Sequence, residues 1–173
     1  MKKDFIFPVL VLSFICCVMT AALALVNNIT SPIIEQAALD RIEEAKFAII
    51  PNAESFISIE NNLFPASVYR AFGTSNNVGY VFFISVHGYG GRFTLTCGID
   101  PEGRIINSFA LAPHLETPGI GTIVFDEAVE YIGKDSSLHG IDTISGATIT
   151  FDAYKNGIID AFTAFNIIKE GRN

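Results

Sequence analysis

The sequence predicts an α+β protein: an N-terminal membrane-spanning helix, then an antiparallel-sheet domain flanked by helices. Three observations carry this. Residues 5–26 contain no charged side chain. From Gly79 to Leu111, apolar runs alternate with tight glycine turns, the signature of an antiparallel meander rather than a parallel α/β sheet. From Asp152 to Lys169, apolar side chains recur at helical spacing.

The apolar run FIFPVLVLSFICCVMTAALALV begins at Phe5. At about 1.5 Å per residue it covers a hydrocarbon core of roughly 30 Å. Lys2 and Lys3 precede it, which places residues 1–4 in the cytoplasm, a transmembrane helix over 5–27 and the remainder outside, single-pass in the cell (inner) membrane. Ala22-Leu-Ala24 has the small-residue pattern of a signal cleavage site, so a cleaved leader is the rival reading. The run is long for a signal sequence and favours an uncleaved anchor. Phe14-Ile15 ahead of Cys16 lacks the small residue that a lipid-attachment site requires.

Thr30-Ser31-Pro32 reads as a helix start, with Ser31 as N-cap and Pro32 in the first turn. Ile34, Ala38, Ile42, Ala45 and Ile49 then recur near helical spacing, giving a linker helix over 28–50 that Pro51 ends. The extracytoplasmic domain spans 51–173. Phe56–Ile59 and Val68–Phe72 are strand candidates. Gly79–Val86 is a strand, His87-Gly-Tyr-Gly-Gly91 a tight turn, and Arg92–Cys97 the returning strand. Asp100-Pro-Glu-Gly103 is a second turn, and Arg104–Leu111 returns again. A loop follows through Gly121, then an amphipathic helix near Phe125–Ile132. The last helix places Tyr154, Ile158, Ala161, Phe162, Phe165 and Ile168 on one face.

Composition narrows the function. Half of the residues are hydrophobic and the mean hydropathy is +0.41, which a membrane segment explains. The net charge of −7 argues against nucleic acid, whose phosphates need a basic face. Setting aside Lys2, Lys3 and Asp4, the rest of the chain keeps 9 of the 11 basic and 17 of the 18 acidic residues. Three cysteines form no disulfide framework. Cys16 and Cys17 lie in the apolar run, and Cys97 falls in an apolar strand, where a buried, inert thiol is expected. The few His and Cys show no metal-ligand spacing, and no acid–base dyad or other catalytic residue stands out.

Two loops carry chemistry. Ser145-Gly146-Ala147-Thr148 is a compact turn before a helix, where free N–H groups and the positive dipole end favour a phosphate. On these residues alone, an ordinary capping turn and a phosphate site at Thr148 both fit. The second loop, Glu116-Thr117-Pro118-Gly119-Ile120-Gly121, holds two glycines and a proline that clear the backbone of side chains.

Both loops resemble motifs of one family. Asp142-Thr-Ile-Ser145-Gly146-Ala147-Thr148 is similar to the D-x-x-S/T-G-A-T motif, and residues 116–121 to the E-T-P-G-L-G loop, of the FMN-binding domains in the Rnf complex G subunit and the Na⁺-translocating quinone reductase C subunit. The resemblance implies that a flavin transferase takes FMN from FAD and joins its phosphate to Thr148. It implies that Ser145, Gly146 and Ala147 shape the attachment loop and that Asp142 belongs to the signal the transferase reads. Residues 116–121 would then lie against the isoalloxazine ring. The implied partners are integral membrane redox subunits of a ferredoxin:NAD⁺ oxidoreductase that couples electron flow to Na⁺ or H⁺ transport, with the chain an electron carrier rather than an enzyme by itself. Residues 122–144 form a shorter stretch than Rnf proteins of this type usually carry, which keeps an independent extracytoplasmic flavoprotein open. A non-redox anchored binding domain is the reading from a different class.

Overall fold

A computed structural model describes residues 2–171. The chain divides into two compact units, one ending at Ile42 and the other running from Glu43. The described residues of the first are all helical. They belong to helix α1 (Lys2–Ile49), which is continuous through Pro8 and Pro32. The expectation of a fresh helix capped by Ser31 is therefore corrected. Proline removes one N–H and so one backbone bond, and the flanking residues, free of glycine, carry the helix across that gap. Among the described residues this is the one helix long and apolar enough to cross a membrane. The Thr20 hydroxyl donates to the Cys16 carbonyl at 2.8 Å, so a polar group in the apolar stretch is satisfied within the helix itself.

The second unit is built on a five-stranded sheet, β1 (Phe56–Ile59), β2 (Val68–Thr74), β3 (Tyr80–His87), β4 (Arg92–Ile99) and β5 (Ile105–Leu111). Neighbours in sequence are neighbours in the sheet, and every pair is antiparallel. Strand β3 is buried at nearly every position, because both faces are covered. On one face Phe82, Ile84 and Val86 lie opposite Cys97, Leu95 and Phe93 and pack with α3 (Thr148–Glu170) in the core. The predicted apolar face of that helix is the buried one: Tyr154, Ile158, Ala161, Phe162, Phe165 and Ile168 are all inside. Gly157 sits where α3 crosses the sheet; a Cβ there would lie 2.7 Å from Leu95 and 2.8 Å from Val86. Glycine in a helix costs up to about 1 kcal/mol, and here it permits the close approach.

On the other face the last turn of α1 lies across β4. Ile49 occupies the space over Gly98, and Ile50 contacts Gly79. Lys46 is buried with them, its ammonium 4.3 Å from the Phe72 ring centre and bonded to Glu43 at 2.6 Å. These turns of α1 therefore belong to the folded unit, which begins at Glu43 rather than at residue 51.

Two further boundaries differ from expectation. The amphipathic helix near Phe125–Ile132 is instead a short α2 (Ile123–Asp126) followed by a 3₁₀ turn over Glu127–Tyr131. This tight path lets Gly133 and Lys134 pair with Ile105 on the edge of β5. The last helix starts at Thr148, four residues earlier than its apolar periodicity indicated.

Candidate functional site

Four segments converge at one end of the sheet: the β3–β4 turn, the loop after β5, the Ser145–Ala147 turn and the start of α3. The loop at 117–122 is closed on itself. The Thr117 carbonyl accepts from the N–H groups of Ile120 and Thr122 at 3.2 and 3.3 Å, and Gly119 donates to the Thr122 hydroxyl at 2.9 Å. Gly119 holds φ +74°, a left-handed conformation that glycine adopts without strain.

Glu116 faces inward. It is 5 % exposed; one carboxylate oxygen accepts from the Thr150 hydroxyl at 2.7 Å, and the other accepts from the Gly90 N–H at 3.0 Å. The Thr150 oxygen also accepts from the Tyr89 N–H at 3.3 Å. A Cβ at Gly88 or Gly121 would collide with the same carboxylate. The glycines of the β3–β4 turn and of the 116–121 loop thus leave a slot that the Glu116 side chain fills.

The Ser145–Ala147 turn is built differently. Gly146 takes φ +85°, Ala147 donates to the Ile144 carbonyl at 3.2 Å and accepts from Phe151 at 2.9 Å. Ala147 is the N-cap and offers no side-chain acceptor. The first N–H groups of α3, at Thr148, Ile149 and Thr150, have no intrahelical carbonyl to reach. Thr148, the first helical residue, is exposed, whereas Thr150 is wholly buried.

Between the two loops lies an open cleft of about 600 Å³, a size that suits a small-molecule cofactor. Tyr89, Glu116, Thr117, Ile120 and Gly121 line one side. Gly146, Ala147, Thr148, Ile149 and Thr150 line the other. Pro118, Gly119 and Ser145 shape their loops without lining the cleft, and Asp142 is exposed outside it. Sequence reasoning did not single out Tyr89 or Ile149. Both are more than half exposed and give the mouth an apolar rim. The Gly88–Gly91 turn was the available signal for Tyr89, because it brings β3 back onto β4 beside this loop.

Behind the cleft, Phe125 stands 5.1 Å from Phe93, 4.7 Å from His114 and 6.2 Å from Tyr154 between ring centres. Tyr154 donates to the Ser108 hydroxyl at 3.0 Å. Burial pushes the Cys97 thiol and the phenols of Tyr131 and Tyr154 far above their ordinary values, so these three groups stay neutral at physiological pH. Cys97 is buried as expected. Among the described residues no group of His, Cys, Asp and Glu is arranged to hold a metal ion.

Residues 88–163 match the family described as the FMN-binding domain. That span opens at the β3–β4 turn and includes both loops and most of α3. This part of the chain is similar to the FMN-binding domain. Among its relatives is the G subunit of the proton-translocating ferredoxin:NAD⁺ oxidoreductase complex of Clostridium ljungdahlii, 26 % identical over 87 % of this chain and 85 % of the relative. The G subunits of two ion-translocating oxidoreductase complexes are also similar. That of Methanosarcina acetivorans is 29 % identical over 92 % of both chains. That of Shewanella piezotolerans is 27 % identical over 98 % of this chain and 93 % of the relative. The site fits FMN on structural grounds too. An uncapped helix start suits a phosphate, and the adjoining cleft has apolar walls wide enough for a ring system.

Proposed function

We propose that this chain is a membrane-anchored, G-type electron-transfer subunit of an ion-translocating ferredoxin:NAD⁺ oxidoreductase complex, with FMN held by a phosphoester to Thr148. The observation that carries the reading is the exposed Thr148 at the uncapped start of α3, opening on a cleft that both motif loops share. The free N–H groups and positive end of the helix lie where the phosphate oxygens would sit. Ile120, Ile149 and Tyr89 offer apolar contact to the ring, and Gly119 and Gly146 keep the backbone accessible. Bound FMN supplies the redox chemistry, passing electrons one or two at a time, while the protein sets its orientation and exposure. The α1 segment confines the domain to a membrane surface, which raises its effective concentration beside integral redox subunits. The lysines before α1 favour a cytoplasmic N-terminus under the positive-inside rule, and a tether would prevent loss of the cofactor from a domain on the other side. Asp142, exposed at the head of the attachment motif, is available to the flavin transferase.

The test is expression of the full chain with and without a flavin transferase, followed by a denaturing gel and intact mass. The expected result is flavin fluorescence and a gain of FMN less one water only when the transferase is present, abolished by Thr148→Ala. An unmodified chain beside an active transferase refutes the covalent link.

A further inference from the structure

The first turn of α3 holds two threonines with opposite surroundings. Thr148 is exposed, and Thr150 is wholly buried. Two residues along a helix are about 200° apart around its axis, so fixing one side chain inward turns the other outward. Thr150 stands four residues before Tyr154 on the buried face of α3, and there its hydroxyl is held by Glu116. The Glu116 carboxylate accepts from the Thr150 hydroxyl at 2.7 Å and ties the same turn to the β3–β4 glycines through Gly90 at 3.0 Å. The carboxylate is held between Gly88 and Gly121, neither of which leaves room for a Cβ beside it. Each of its oxygens accepts one hydrogen bond from within the protein.

Resting on the attachment reading above and deepening it, we propose that Glu116 is a positioning residue that selects the flavin acceptor. It withdraws the Thr150 hydroxyl and presents that of Thr148. In the transfer step the Thr148 oxygen attacks the FMN-side phosphorus of the FAD pyrophosphate. The new Oγ–P bond forms as the P–O bond to the AMP half breaks; AMP leaves with the electron pair, and the hydroxyl proton passes to a base of the transferase. Thr150 cannot enter this step. Its proton is committed to Glu116, its oxygen faces the Tyr89 N–H at 3.3 Å, and no surface is open to phosphorus.

The experiment uses the full-length chain co-expressed with an FAD-dependent flavin transferase. It compares wild type with Glu116→Gln, Glu116→Ala and Thr148→Ala. Site-resolved mass spectrometry measures the rate of flavin gain at residues 148 and 150. Hydrogen exchange on the unlabelled chain reports the Tyr89 and Gly90 amides. Wild type loads Thr148 alone, and Thr148→Ala takes no label on Thr150. Glu116→Ala slows loading of Thr148 about tenfold or more, the effect of losing one hydrogen bond to a charged group, and its Tyr89 and Gly90 amides exchange faster by a similar factor. Glu116→Gln restores most of the rate, because its carbonyl still accepts from Gly90 and its amide donates to the Thr150 oxygen. Should Glu116→Ala not fold, Thr150→Val removes the same bond at nearly constant volume and slows loading in the same way. Label on Thr150 with Glu116 intact overturns the inference, as does wild-type loading in a folded Glu116→Ala chain. A wild-type chain with no flavin at all overturns the attachment reading and this inference with it, while slow exchange at Tyr89 and Gly90 would still report the Glu116 network.

Discussion

Replacing Gly90 by alanine isolates the contact on which the cleft depends. A Cβ at Gly90 would overlap the Leu115 carbonyl group and lie 2.8 Å from the Glu116 N–H nitrogen. Those atoms are backbone, so the β3–β4 turn must lift away from the loop that follows β5. Lifting it breaks the 3.0 Å bond from Gly90 to Glu116. A bond to a charged group contributes about 1.5–3 kcal/mol, and the displaced backbone adds to the loss, for about 3 kcal/mol in all. For a chain of this size each kcal/mol lowers the melting temperature by about 2–4 °C, so a drop of about 6–12 °C is expected. Gly119→Ala is the control. Gly119 has φ +74° with nothing within 4 Å of an added Cβ, so it carries only left-handed strain of about 1–2 kcal/mol. The assay is thermal unfolding of the full chain in detergent, followed by near-ultraviolet circular dichroism. Equal melting of the two variants, or a Gly90→Ala chain as stable as wild type, refutes the packing of these loops around Glu116.

Three further outcomes follow from the fold. Tyr154→Phe deprives the buried Ser108 hydroxyl of its 3.0 Å donor and lowers stability by about 1–2 kcal/mol in urea titration; an unchanged midpoint contradicts it. Lys46→Met keeps the buried stem but removes the ammonium from the Phe72 ring and from Glu43, costing about 1–2 kcal/mol in the same titration, and a neutral result denies the ammonium any role. The raised pKa values of Cys97, Tyr131 and Tyr154 mean that the folded chain keeps protons the unfolded chain releases above their ordinary values of 9.0 and 10.0. Stability from these groups is therefore full below about pH 9 and falls as pH rises. Ultraviolet titration should show these two phenols ionising only as the chain unfolds, and reversible ionisation near pH 10 in the folded chain would contradict this.

Local patterns made much of this fold legible. The meander could be read because each strand ends at a turn of glycine, proline or aspartate, and α3 because its apolar positions recur at the helical period. Both motif loops were visible as short strings. Features decided by distant contacts were not. Glu116 and Thr150 are separated by 34 positions and Tyr89 and Thr150 by 61, and no local pattern names Glu116 as the partner of Thr150. Thr150, the next threonine along, is set apart from Thr148 by its burial against Glu116. The start of α3 was missed because Thr148 and Ile149 are exposed and contribute nothing to the apolar stripe. Continuity of α1 through Pro32 was missed because serine followed by proline carries the local signature of a helix start, which the surrounding helix overrides.

The proposed flavin phosphoester sits on the exposed threonine at the start of α3. Fragment mass spectrometry of the protease-digested, transferase-treated chain tests it most directly. The expected result is FMN less one water on the peptide spanning Asp142 to Lys155, with the added mass localised to Thr148. Flavin released intact by denaturation, or mass localised to any other residue, would contradict it.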